Sequence, residues 1–216
     1  IDEKGRVLYG DQILLILARE ILARNAGASI ITEVKASQVF FDEVTRAGGK
    51  PIMWKAGHSL IRTKMKEIGA PLAGEMSGHI FFADGYYGFD DALYAAVRLL
   101  AILAGGDQSL ADMRDALPVM FNTPEVRFDC AEETKFQVIE DIKARLGNET
   151  GVTVRDIDGV RVETPDGWWL LRASNTQDVL VARAESDSEA GLERLMEQID
   201  EQLALSGLAR GPQAGH

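Results

Sequence analysis

Apolar positions along this chain switch repeatedly between helical and strand spacing. Leu14, Leu17, Ala18, Ile21 and Leu22 fall on one side of a helix predicted over residues 11–24, with Asp11 placed to cap it and Asn25-Ala26-Gly27 to stop it. Residues 29–34 then read as a buried strand, residues 37–47 as a helix ended by Gly48-Gly49, and residues 51–54 as a second strand. A helix over 59–68 and a strand and turn around residues 70–82 complete the third round. Strands alternating with helices of about ten to fifteen residues predict βαβ units and a mostly parallel sheet. A long helix is predicted over 89–104, and Ser109 with Asp112 forms a box-like cap on a short helix ending near Leu117-Pro118.

Beyond residues 121–124 (Phe-Asn-Thr-Pro) the pattern changes. A strand over 125–130 and a helix over 132–146 lead into four strands, at 152–156, 160–163, 168–173 and 179–184, and a last helix over 188–205. Asp158-Gly159 and Pro165-Asp166-Gly167 are hairpin signals. The expected architecture is an α/β domain with a mixed sheet over 1–119, a linker over 120–127, an α+β domain with an antiparallel sheet over 128–208, and a flexible tail over 209–216.

In open α/β sheets, ligands bind beyond the carboxyl ends of the strands. Lys35, Lys55 with His58, and Glu75 each follow a predicted strand, so three loops distant in sequence should converge at one edge. The third of them, Gly74-Glu75-Met76-Ser77-Gly78-His79, sets a carboxylate, a hydroxyl and an imidazole at alternate positions. If extended, it would turn Glu75, Ser77 and His79 toward one face, with Gly74 and Gly78 allowing close approach of a ligand. Such a set matches the mixed donors and acceptors of a sugar ring, and equally fits a polar turn that happens to carry a histidine.

At 216 residues, with 46% hydrophobic and 26% charged residues, the chain has the composition of a globular protein. Its net charge is −11. Residues 1–119 hold 13 Lys and Arg against 15 Asp and Glu, whereas residues 120–216 hold 10 against 19. So acidic a surface argues against nucleic acid and anionic membranes as partners, and an anionic ligand must be met by local charge. Lys35, Lys55, His58 and Arg172 are the candidates, while Arg62, Lys64 and Lys66 have the spacing of a solvated helix face. The lone Cys130 excludes an internal disulfide and is expected as a buried strand residue in a protein of the reducing cytoplasm.

The loop at 74–79 resembles the sugar-binding loop of the α-D-phosphohexomutases, and Met76 makes it most similar to the phosphomannomutase/phosphoglucomutase branch. The phosphoglucosamine mutase branch, an alternative, usually has Gln there. Val34-Lys35-Ala36-Ser37 and Trp54-Lys55-Ala56-Gly57-His58-Ser59 resemble the basic loops of the family's third domain. Arg172-Ala173-Ser174-Asn175-Thr176 resembles the phosphate-binding loop of its fourth. Gln177-Asp178 stands where the family usually has a proline two residues beyond the threonine, a change expected to weaken phosphate binding.

The resemblance implies reversible transfer of phosphate between O1 and O6 of mannose or glucose phosphates through a bisphosphorylated intermediate, with hexose 1,6-bisphosphate as activator. It implies Glu75, Ser77 and His79 as sugar ligands, Arg172, Ser174, Asn175 and Thr176 as phosphate ligands, and Lys35 and His58 as catalytic residues. The family's phosphoserine loop (Thr-Ala-Ser-His-Asn-Pro) and Mg2+ loop (Asp-Gly-Asp-Gly-Asp-Arg) do not occur in these 216 residues. The chain therefore reads as the C-terminal half of a mutase, partnered by an N-terminal half that would hold the magnesium, and by itself inactive. Asp2, Glu3 and Asp11 are expected to bind no metal. A sugar-phosphate binding module without chemistry is the other alternative.

Overall fold

The computed structural model describes residues 1–147, 149–174 and 177–209. The chain divides into two compact units, Ile1–Pro118 and Val119–His216. The first contains α1 (Gly10–Arg24), β1 (Ser29–Glu33), α2 (Gln38–Arg46), β2 (Lys50–Trp54), α3 (His58–Ile68), β3 (Leu72–Gly74), β4 (Ile80–Phe82), β5 (Phe89–Asp90), α4 (Ala92–Gly105) and α5 (Leu110–Asp115). Its sheet has the order β2-β1-β3-β4-β5. β1 runs parallel to β2 and β3, and β4 and β5 return antiparallel.

Alternation along the strands divides the core between the two sheet faces. Ile30, Leu72, Ile80 and Phe82 pack with Leu14, Leu17, Ile21, Phe40, Val44 and Ala95 of α1, α2 and α4. Ile31, Ala73 and Phe81 point the other way, onto Ile61 and Met65 of α3. The result is three layers, helix on sheet on helix.

Two expected boundaries move. Asp11 lies inside the first turn of α1, whose N-cap is Tyr9; Gln12 Oε1 reaches back to the Tyr9 N–H at 3.0 Å. The long helix begins at Ala92 instead of residue 89, because Asp91 is the better cap and accepts the Tyr94 N–H at 2.9 Å. Phe89 and Asp90 are left to pair with β4.

Helix pairing in this unit carries a pH signature. Glu43 is held by Arg46 and Arg19, and Glu20 and Asp84 by Arg24 and Arg98. These guanidinium partners keep all three carboxyls below the usual carboxylate range. Folded pKa values below the unfolded ones stabilise fully above the unfolded values, and that stabilisation is lost as pH falls through the folded ones. The melting temperature of the chain is therefore expected to hold from neutrality to about pH 5 and to fall below about pH 4. Thermal melts across that range check this, and a midpoint unchanged down to about pH 3 would contradict it.

The second unit contains β6 (Phe121–Asn122), β7 (Val126–Asp129), α6 (Glu132–Leu146), β8 (Thr153–Arg155), β9 (Val160–Thr164), β10 (Gly167–Ala173), β11 (Val179–Ser186) and α7 (Glu189–Leu205). The sheet is antiparallel, in the order β6-β11-β10-β9-β8, with β7 also on β11. Residues 120–127, expected as a linker, are in part strand: β6 pairs with Glu185 and Ser186, and Val126 and Arg127 begin β7. Of the expected tail, only Ala209 falls within the described residues.

One face of this sheet packs Val162, Trp169, Leu171, Leu180 and Ala182 against Ile139, Ile142, Leu195 and Ile199 of α6 and α7. On the other face the Arg161 guanidinium stacks on Trp168, 3.7 Å from the ring centre, and Trp168 Nε1 donates to Glu185 Oε1 at 3.0 Å. Burial pushes Arg161 down to about 9, against the pull of Glu185 and Glu163, so it stays charged at neutral pH. Cys130 is buried as expected, but it lies just past β7 and is not a strand residue.

Candidate functional site

The three loops expected at one edge of the first sheet do meet there, and backbone N–H groups bound to carboxylates hold them together. Glu33, fully buried at the end of β1, accepts the Met76 N–H at 3.1 Å, with Lys35 Nζ 3.5 Å from the same oxygen. Glu75 accepts the Gly57 N–H at 2.8 Å, which ties the third loop to the second. Asp11 accepts the Ser37 N–H at 3.0 Å, which ties the start of α1 to the first loop, and Ser37 in turn caps α2. Hydrogen bonds from N–H groups to carboxylates are charge-assisted and stronger than neutral ones, so these links give the loops a defined relative geometry.

The loop at 74–79 differs from its expected shape. It is a tight hairpin turn and not an extended segment: Glu75 N–H donates to the His79 carbonyl, and Gly78 N–H to the Glu75 carbonyl, both at 2.9 Å. Gly78 has φ +96°, a conformation open to glycine and strained for other residues. Glu75, Ser77 and His79 therefore do not share one extended face. Glu75 is buried toward Gly57, whereas Ser77 and His79 are exposed. Gly74 serves packing in place of ligand approach, since a Cβ there would lie 2.9 Å from Leu14.

His79 Nδ1 lies 2.6 Å from Asp90 Oδ2. A carboxylate only accepts, so Nδ1 carries the proton of this contact and Nε2 is directed away from Asp90. The His58 and His79 rings are 6.1 Å apart, with His58 opening α3. Lys55, His58 and Ser59 are exposed and Lys35 half-buried, so this edge presents cations and imidazoles above a buried acidic layer.

Gly10 escaped the sequence reading, yet it governs this edge. A Cβ on it would sit 2.4 Å from the Glu75 carbonyl, 2.7 Å from that of Met76 and 2.8 Å from the Gly78 nitrogen. The turn thus rests directly on the first residue of α1. Glu33 and Asp11 as loop ties were also missed. Glu33 read as an ordinary strand residue, although a glutamate at the inner end of a buried strand is itself an anomaly that needs a partner.

In the second unit Arg172, near the end of β10, is 9% exposed. Asp158 receives its Nε at 3.1 Å and its Nη2 at 3.4 Å. A guanidinium has five donors, so Asp158 fixes its plane without exhausting them. Ser174 N–H donates to the Val179 carbonyl at 3.0 Å, and its Oγ accepts the Gln177 N–H at 3.2 Å. Asn175 and Thr176 lie outside the described residues. Asp158, read from the sequence only as a turn residue, is the partner that orients Arg172.

Asp2 accepts the N–H groups of Lys4 and Arg6 and the Arg6 side chain, and Glu3 accepts the Ala111 N–H. Among the described residues no group of three His, Cys, Asp or Glu side chains is arranged to hold a metal. Nor, among them, is any helix long and apolar enough to cross a membrane.

Residues 9–121 match the family described as phosphoglucomutase/phosphomannomutase, alpha/beta/alpha domain III, and residues 125–202 match its C-terminal domain. The chain is 45% identical over 197 residues to a phosphomannomutase/phosphoglucomutase of Pseudomonas aeruginosa, covering 90% of this chain and 42% of that protein. It is 43% identical over 196 residues to a phosphoglucomutase of Neisseria gonorrhoeae, again 90% of this chain and 42% of the relative. A crystal structure of a phosphoglucomutase/phosphomannomutase family protein from Burkholderia thailandensis superimposes with a TM-score of 0.86 at 42% identity, over 98% of this chain and 44% of that one. The chain thus spans less than half the length of these relatives. With both units matched in order, it belongs to the phosphoglucomutase/phosphomannomutase family and comprises that family's domain III and C-terminal domain.

Proposed function

We propose that this chain provides the sugar-reading and phosphate-holding parts of a phosphomannomutase/phosphoglucomutase, which moves phosphate reversibly between O1 and O6 of mannose or glucose phosphates. The observation that carries this is the knot of three strand-end loops held by Glu33, Glu75 and Asp11, on a fold matched by the family's domain III. The phosphoryl donor, and the magnesium that the family resemblance implies, are assigned to the part of the relatives that this chain does not cover. Asp2, Glu3 and Asp11 on this chain accept backbone N–H groups.

Exchange of phosphate between O1 and O6 requires the sugar to bind in two flipped orientations. A bisphosphorylated sugar would be the intermediate between them and the activator. Glu75 is assigned to hydroxyls that occupy equivalent places in both orientations, and Ser77 and His79 Nε2 are the exposed groups beside it. Lys35, anchored by Glu33, is a held positive charge for phosphate, and His58 at the start of α3 is assigned as the proton-transfer group. Arg172, Ser174, Asn175 and Thr176 are assigned to the phosphate, with Arg172 oriented by Asp158.

The test is a ligand titration on the purified chain with inorganic phosphate and with glucose 6-phosphate. Arg172→Ala is expected to weaken both by a similar factor, about tenfold or more, because it removes a charge-assisted contact that reads phosphate alone. Glu75→Gln keeps an oxygen for the Gly57 N–H, and is expected to lower the preference for the sugar phosphate over phosphate by about tenfold. Equal losses for the two ligands in Glu75→Gln would remove the sugar-reading role.

A further inference from the structure

The backbone that follows Arg172 and Ser174 is gripped by the segment running from β7 into α6. Lys135 is 1% exposed, and its Nζ donates to the Gln177 carbonyl at 3.1 Å and pairs with Glu132 one turn earlier. Arg127 Nη1 donates to Gln177 Oε1 at 2.5 Å, and the Cys130 N–H to the Asp178 carbonyl at 3.0 Å. The Gln177 carbonyl also takes the Val179 N–H at 2.9 Å. Main chain and side chain of Gln177 are thus both held by cations of one short segment.

Burying an ammonium is unfavourable unless it is fully paired, and an apolar side chain of similar length would fill the same space without that cost. Lys135 therefore contributes little stability for its burial. What it does supply is a fixed donor to one loop carbonyl, within three residues of Ser174. At Asp178 the chain also lacks the ring of a proline, which would restrain φ at that position. Hydrogen bonds from outside the loop restrain Gln177 and Asp178 instead.

We propose that Lys135, assisted by Arg127, is the positioning residue of the phosphate loop, holding Gln177-Asp178 so that Ser174 and Arg172 are presented to a phosphate in one arrangement. This rests on the phosphate-holding reading of Arg172 and Ser174. It assigns Lys135 no contact with the ligand.

The experiment combines amide hydrogen exchange, thermal melting and titration with inorganic phosphate on the 216-residue chain. In Lys135→Met, exchange at the Gln177 and Val179 amides is expected to rise about tenfold while the central β10 amides stay unchanged, and phosphate binding to weaken by about the same factor. The melting temperature should stay level or rise, which a merely structural role would not produce. Lys135→Arg, which keeps a donor, should recover part of the binding. Arg127→Ala, at an exposed position, should show the same changes at about threefold and decides the matter if Lys135→Met does not fold. Unchanged loop exchange in both variants overturns the proposal, as does faster exchange with phosphate binding intact. If Arg172→Ala leaves phosphate binding intact, or the unsubstituted chain binds none, the phosphate reading fails, and positioning for phosphate fails with it. Phosphate binding lost in Arg172→Ala but kept in Lys135→Met and Arg127→Ala overturns the positioning role alone.

Discussion

Gly10→Ala is expected to destabilise the first unit by about 3 kcal/mol or more and to abolish discrimination between hexose phosphate and inorganic phosphate. Alanine is ordinarily the better helix residue, by about 1 kcal/mol, so propensity alone predicts the opposite sign. The contacts decide. Its Cβ would lie 2.4, 2.7 and 2.8 Å from three backbone atoms of residues 75, 76 and 78. None of these is the end of a flexible side chain, so either α1 or the turn must move. The turn is fastened to Gly57 by the Glu75 carboxylate and to β1 by Glu33, so a shift at Gly10 propagates to all three loops. Urea unfolding and the paired titration with phosphate and glucose 6-phosphate measure the two effects. A variant as stable as the unsubstituted chain, with its sugar preference intact, would show that the turn does not depend on this approach.

Gly159→Ala should have a comparable effect in the second unit, again about 3 kcal/mol. Gly159 has φ +78°, which already costs an alanine about 1–2 kcal/mol. A Cβ there would also meet the Leu171 carbonyl at 2.4 Å and the Arg172 Cβ at 2.6 Å. Relief of that clash pushes the Asp158-Gly159 turn off β10, and with it the carboxylate that fixes the Arg172 guanidinium. Phosphate affinity should therefore fall along with stability, by about tenfold. Asp158→Asn separates the two: it leaves the backbone alone, removes the charge partner, and should lower phosphate affinity with little change in melting temperature. If Gly159→Ala lost stability while Asp158→Asn bound phosphate as before, Asp158 would be a turn residue and nothing more.

Much of the architecture was legible in the chain. Periodicity separates helix from strand because a helix buries one stripe and a strand alternate residues, and the order of elements then selects a mixed sheet in one unit and an antiparallel one in the other. The placement of Lys35, His58 and Glu75 just after strands was enough to predict that their loops converge, since parallel strands put their carboxyl ends on the same edge. Capping chemistry is equally local, as at Ser37 and Ser109.

What only the tertiary structure decided is how each loop is held, because that depends on atoms brought together from far apart in sequence. Local alternation suggested an extended sugar loop, but hydrogen bonds from Glu75 to His79 and from Gly78 to Glu75 close it into a turn. Gly10 looks like a poor start for a helix until the turn lying against it is known, and Asp158 looks like any turn residue until Arg172 stands beside it. Lys135 follows the same rule: on α6 it has the spacing of a core position, and the carbonyl of Gln177, 42 residues on, joins the Glu132 carboxylate in pairing a charge there. The sequence by itself determined which residues could carry the chemistry, because side-chain type and strand ends are local properties. The tertiary structure decided which backbone groups the carboxylates of Asp11, Glu33 and Glu75 hold, because a buried acid is satisfied by whichever donors the fold brings within reach.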